Sequence, residues 1–202
     1  MEKTKNIKIT GKINENQLDQ AISIYYFAFK KKIRALIKSK EKALAIHKKA
    51  LNPGRVLYAL LDERVVGIAG LHYDNKNFME IKYKDLREHF NPIQSYFIYF
   101  IYKIMSPKFK NDVIRIDSIA VDEDVRGQGI GSILIEKVFE LAKDKEFKEV
   151  ILEVVDTNPK AKKLYERIGF KEKKVVKYYF TTRIAGFSSE FIMSYNMENF
   201  AS

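Results

Sequence analysis

Apolar residues at Leu18, Ile22, Tyr25 and Phe29 recur every three to four positions, which predicts a helix from Gln17 to Lys32 with Asn14-Glu15-Asn16 as cap residues. Ile7 to Ile13 alternates weakly and is read as an opening strand. A second helix is expected from Ser39 to Ala50, stopped by Asn52-Pro53-Gly54. Val56 to Leu61 and Arg64 to Tyr73 are β-rich runs around Asp62-Glu63, the spacing of a hairpin. Asp74 to Asn111 is too long for a bare connection, so it should carry structure of its own. Tyr83 to Phe90 and Pro92 to Met105 both read as helical, giving a helical insertion over about 76–110.

Beyond it the pattern predicts a strand Val113 to Val121, an amphipathic helix Ser132 to Lys143, a strand Glu149 to Val155 and a short helix Pro159 to Ile168 closed by Gly169. Lys171 to Phe180 and Glu190 to Tyr195 are two last strand-like runs, joined through Gly186. The expected product is an α/β (α+β) fold in one domain of 202 residues. Its mixed, twisted sheet should have about six to seven strands, with helices on both faces.

Composition narrows the chemistry. No cysteine is present, which excludes disulfides, thiolate metal sites and a cysteine acyl-enzyme. His47, His72 and His89 lie far apart without ligand spacing, so no metal is expected. Met1 to Thr10 is polar and lysine-rich, unlike a secretory signal, and a cytoplasmic location is the expectation. The apolar run in Pro92 to Met105 is shorter than the roughly 20 residues a membrane span needs.

The formal net charge is +11, and Lys30 to Lys49 holds nine Lys/Arg against Glu41 alone, 9 − 1 = +8. Such a patch attracts nucleic acid, acidic lipid, an acidic acceptor or phosphates, or is simply a solvated lysine face. Lysines outnumber arginines 29 to 8, whereas base readout relies on arginine's fork, so nucleic acid is not the expected partner.

The most informative stretch is Arg126-Gly127-Gln128-Gly129-Ile130-Gly131, between the Val113 strand and the helix that follows. Glycines at alternate positions let a backbone approach a ligand, and the helix start offers free N–H groups and a positive dipole end. This reads as a phosphate-binding turn for an anionic cofactor. It is neither G-x-G-x-x-G, because Ser132 stands at the third glycine, nor a Walker loop.

The turn resembles the R/Q-x-x-G-x-G/A signature of the GCN5-related N-acetyltransferase (GNAT) family. Leu152-Glu153-Val154, Asn158, Ala161, Leu164-Tyr165 and Gly169-Phe170 are similar to the family's second motif in order and spacing. The strong likeness covers Val113 to Phe170, the expected cofactor-binding core.

That resemblance implies acetyl transfer from acetyl-CoA (coenzyme A) to an amine, by direct attack in a ternary complex. It implies that the strand segment Ile119, Ala120 and Val121 meets the pantetheine arm, with Ile119 and Val121 bonding through their backbone. Arg126, Gly127, Gln128, Gly129, Ile130 and Gly131 would hold the pyrophosphate, Ser132 would add a hydroxyl, and Asn158 would contact the arm or order its loop. Tyr165 would be the general acid and Glu153 the leading general base. Asp117 is the alternative base, expected by alternation on the same face as Ile119 and Val121.

The acceptor is an amine-bearing molecule that carries no motif, and the positive field of Lys30 to Lys49 favours one with an acidic group. The aromatics of the insertion line an acceptor pocket, form a homodimer interface or cover the core. The competing readings are an acyl-CoA-binding module without transfer and a basic nucleic-acid-binding protein.

Overall fold

The computed structural model describes residues 6–106, 111–178 and 186–200. Seven strands form one sheet: β1 (Ile7–Thr10), β2 (Val56–Leu61), β3 (Arg64–His72), β4 (Val113–Val121), β5 (Glu149–Val155), β6 (Lys171–Lys177) and β7 (Ser189–Asn196). They lie in the order β1-β2-β3-β4-β5-β7-β6, and β4 with β5 is the parallel pair among antiparallel neighbours. The helices are α1 (Glu15–Ala28), α2 (Lys30–Leu36), α3 (Lys40–Ala50), α4 (Tyr83–Arg87), α5 (Pro92–Met105), α6 (Ile130–Asp144) and α7 (Pro159–Ile168).

Local chemistry explains most boundaries. Asn14 and Gln17 form a reciprocal capping box at α1. Asn91 and Asn158 cap α5 and α7, each followed by a proline whose missing N–H costs nothing there. Asp62 and Glu63, with φ of 47° and 65°, make the tight two-residue turn between β2 and β3. Gly169, at φ 109°, ends α7, where Phe170 N–H returns to Tyr165 O at 3.0 Å.

Some expected boundaries differ. The single helix Gln17 to Lys32 is two helices: the backbone turns at Phe29, whose ring packs on Tyr25 at 5.0 Å, and α2 then drives Ile33 into a separate cluster. The opening strand stops at Thr10, where the Thr10 hydroxyl bonds the backbone of Lys12. The helix at Tyr83 ends at Arg87, and α6 begins at Ile130, two residues earlier than its apolar pattern suggests. Tyr179 and Phe180, the expected end of the sixth strand, lie outside the described residues.

The core is layered on the two sides of the sheet. On one side α6 and α7 cover Ile114, Ile116, Val150, Leu152 and Val154. On the other, α1 packs against Val56, Tyr58, Ile68 and Ala120, and a helical layer of α2 to α5 closes around Ile33, Ile37, Ile46 and Ile98. Among the described residues no helix is long and apolar enough to cross a membrane.

Candidate active site

The site grows from a register fault. β3 pairs Gly70 with Ser118 but Leu71 with Ile116, so Asp117 is an extra residue on β4, a β-bulge. Alternation therefore changes phase within the strand. Ile114 and Ile116 face α6 before the bulge, and Ile119 and Val121 face it after. The expectation that Asp117 shares a face with Ile119 and Val121 is thus corrected: Asp117 turns to the α1 side, where its Oδ1 lies 3.1 Å from His72 Nε2. His72 Nδ1 lies 2.6 Å from Asn77 Oδ1.

The second device is a gap. β4 and β5 pair only from Val113↔Glu149 to Ile116↔Leu152, whereas β4 stays with β3 as far as Val121 and β5 stays with β7 as far as Val155. The strands diverge after the bulge. Asp122 N–H donates to Val66 O at 2.9 Å, so by antiparallel alternation Ala120 and Ser118 bond β3 while the polar groups of Ile119 and Val121 point into the gap. Ala120 is therefore not brought to the gap: its backbone serves β3 and its side chain is buried against the α1 side. Val121 offers only its N–H, because Arg126 Nε donates to its carbonyl at 3.1 Å.

Arg126 thereby ties the start of the glycine-rich turn to the end of β4. Gly127 and Gly129 take φ of 81° and 79°, a left-handed conformation that side-chain-bearing residues resist. Nothing lies within 4 Å of where a Cβ would sit on either, so the turn is open on its outer side. Among the described residues, the N–H groups of five consecutive residues, Gly127 to Gly131, have no acceptor; the first turn of α6 bonds only from Ser132 and Ile133 back to Gly129 O. Free N–H groups at the start of a 15-residue helix suit an anion such as a pyrophosphate. Gln128 is exposed and Ser132 half-buried, while the Ile130 side chain is buried beneath the turn, leaving its backbone available.

On the same side of the sheet, α7 carries Tyr165, half-buried with its ring 6.0 Å from Phe170. Burial pushes its phenol up to about 12, and its hydroxyl has no hydrogen-bond partner among the described residues. It stays protonated at neutral pH. The Asn158 side chain accepts from Ala161 N–H at 3.2 Å, so it orders the loop as a helix cap.

Glu153 sits on β5 facing the α1 side, where Arg115 Nη2 lies 2.7 Å from its Oε2. Burial raises its carboxyl above the ordinary range; Arg115 pulls the other way, and Glu190 and Asp117 push up again. Glu190 on β7 accepts from the Tyr178 hydroxyl at 2.8 Å and lies 3.8 Å from Lys32 Nζ of α2. Sequence reasoning missed Arg115, Glu190, Tyr178 and His72. None of the four carries a local signal, because only strand pairing brings them together.

The Acetyltransferase (GNAT) family profile matches residues 23–170. The chain belongs to this family. GNAT proteins use acetyl-CoA as a co-substrate, and the open N–H cradle and the strand gap fit that molecule's pyrophosphate and amide-bearing arm.

An uncharacterised N-acetyltransferase of Methanocaldococcus jannaschii is 47% identical over 68 residues, 34% of this chain and 30% of that protein. Thialysine N-epsilon-acetyltransferase of Bos taurus is 39% identical over 71 residues, 35% of this chain and 42% of that protein. The matched part thus spans less than half the length of these relatives. Among solved structures, an N-acetyltransferase from Staphylococcus aureus Mu50 superposes with a TM-score of 0.67 at 16% identity, covering 93% of this chain and 100% of that one. The ribosomal-protein-S18-alanine N-acetyltransferase of Escherichia coli gives 0.54 at 18%, covering 95% and 94%. At these identities the likeness is one of fold.

Proposed function

We propose that the protein transfers an acetyl group from acetyl-CoA to a primary amine of a small molecule or protein, by direct attack in a ternary complex. The observation that carries this reading is the five unpartnered N–H groups of Gly127 to Gly131 beside the gap between β4 and β5. Acetyl-CoA supplies the activated acyl group. Gly127 to Gly131 hold its phosphates with Ser132 beside them, Ile119 and Val121 engage its arm through their backbone, and Asn158 keeps the facing loop in place.

The amine enters from the opposite side of the sheet. An ammonium has no lone pair, so a base must take its proton. Glu153 is that base, because burial raises its basicity above that of a surface carboxylate while Arg115 fixes its orientation. Tyr165 holds its proton at neutral pH and delivers it to the departing thiolate. Asp117, Glu153 and Glu190 outnumber the cations paired with them, Arg115 and Lys32, so the acceptor side keeps a net anionic lining that attracts a cationic amine.

The test is acetyl-CoA calorimetry followed by thiol release on a panel of primary amines. Thialysine and peptide N-termini come first, because Bos taurus thialysine N-epsilon-acetyltransferase and Homo sapiens N-alpha-acetyltransferase 30 are among the relatives. Binding with amine-dependent release supports the proposal. Binding without release on any amine would instead mark an acyl-CoA-binding module, and no binding would remove the reading altogether.

A further inference from the structure

α5 leaves a large apolar face uncovered. Ile93, Tyr96, Phe97, Phe100 and Ile104 are 82%, 63%, 59%, 47% and 65% exposed, on a protein that buries most of its other large apolar side chains. The opposite face is anchored: Ser95 and Ile98 are buried, and the Tyr102 hydroxyl meets His47 Nε2 at 3.1 Å. His47 Nδ1 lies 2.7 Å from Ala43 O and donates to it, so Nε2 is the acceptor for Tyr102. These contacts fix the rotation of the helix and point the five side chains outward.

Their spacing says what covers them. Ile93, Phe97, Phe100 and Ile104 follow one another by four, three and four residues, the repeat by which one helix seats its side chains in another. With Tyr96 they form a stripe about 100° wide. The stripe is also self-complementary. A two-fold axis passing between Ile98 and Tyr99 sets Ile93 against Ile104 of the partner subunit and Phe97 against Phe100 of the partner subunit. Lys103, exposed on the same helix, lies about 14 Å along the axis from Lys103 of the partner subunit, so no like charges meet.

We propose that α5 pairs antiparallel with α5 of a second copy, forming a two-fold dimer through this seam. The five side chains expose about 600 Å² in all, approaching the roughly 800 Å² per partner of a specific interface. A moderate, concentration-dependent dimer follows. A lipid surface is the poorer match: it needs no helical register, and Lys103 is the one basic residue α5 itself offers to anionic headgroups.

Because the chain has no cysteine, disulfide trapping of the full chain is a clean test. In the antiparallel seam, an Ile93→Cys preparation mixed with Ile104→Cys cross-links under mild oxidation. Neither cross-links alone, since like positions are about 16 Å apart along the helix axis. In sedimentation the wild type passes from 23.6 kDa to twice that mass with concentration, and Phe97→Glu with Phe100→Glu weakens association by at least roughly tenfold. Unchanged acetyl-CoA binding by that double variant checks that it is folded.

Self-linking of either single variant, or a wild type that stays monomeric at roughly 100 μM, overturns the proposal. So does a dimer that survives the double variant. A monomer that binds phosphatidylserine-containing vesicles through Phe97 and Phe100 would assign the face to lipid instead.

Discussion

The two sides of the sheet are built by different means. On the α6 side the site is mainly backbone, with the Tyr165 side chain beside it: left-handed glycines, free N–H groups, a helix cap and a gap between strands. On the α1 side it is side chains drawn from four strands and the loop after β6: His72, Arg115, Asp117, Glu153, Glu190 and Tyr178. A backbone site constrains its sequence locally, because only certain residues adopt its dihedral angles. A side-chain site gathers residues far apart in the chain and can be rebuilt with other residues, which is how one cofactor fold can serve many acceptors.

Substitutions should separate the two. Gly129→Glu brings a carboxylate into an anion cradle and a Cβ to a φ of 79°, and calorimetry should record acetyl-CoA affinity falling by more than about 100-fold. Gly129→Ala, which finds open space and keeps only the backbone strain, should lose far less. Retained affinity in Gly129→Glu would mean that the cradle is not the phosphate site.

Tyr165→Phe should lower kcat about 100-fold with KM for acetyl-CoA little changed, because it removes a proton donor and leaves the packing. Equal rates would reduce Tyr165 to a packing residue.

As the proposed base, Glu153 should give the activity a pH signature. A base must be ionised to work, so kcat falls as pH drops through its pKa, and burial places that limb above the range of an ordinary carboxylate. Glu153→Gln should abolish the limb and cost about tenfold or more in kcat. Arg115 favours the ionised form, so Arg115→Met should move the limb to higher pH. A limb that ignores both substitutions belongs to another group.

The smallest effect tests the join between the sides. A Cβ on Gly70 would lie 2.6 Å from the Phe78 ring and 2.8 Å from Ser118 Oγ, next to the bulge. Gly70→Ala should cost about 1–3 kcal/mol and lower Tm by several degrees without changing acetyl-CoA affinity.

Legibility followed the same division. Every strand had a recognisable run, and Val113–Val121, Glu149–Val155 and Pro159–Ile168 match their observed limits, because caps, glycines and β-branched runs act locally. The turn at Phe29 was hidden, since both halves of that segment keep a helical period and tertiary packing re-aims the second. The phase change at Asp117 was hidden too: alternation counts residues, and a bulge is defined by the partner strand. For the same reason Arg115 and Glu190 acquire meaning only once β4, β5 and β7 lie side by side.

The extra residue in β4 also limits what a shared motif can say. A related chain lacking it would keep the glycine-rich turn, the capping asparagine and the tyrosine letter for letter, yet its upstream strand would be rotated by half a period. The counterpart of Arg115 would then look toward α6 and α7 and that of Ile114 toward α1, the proposed acceptor side. Two chains can thus agree at every signature position and still present opposite chemistry to their substrates, so pairing register, and not only motif spelling, decides which relatives are fair guides to the acceptor.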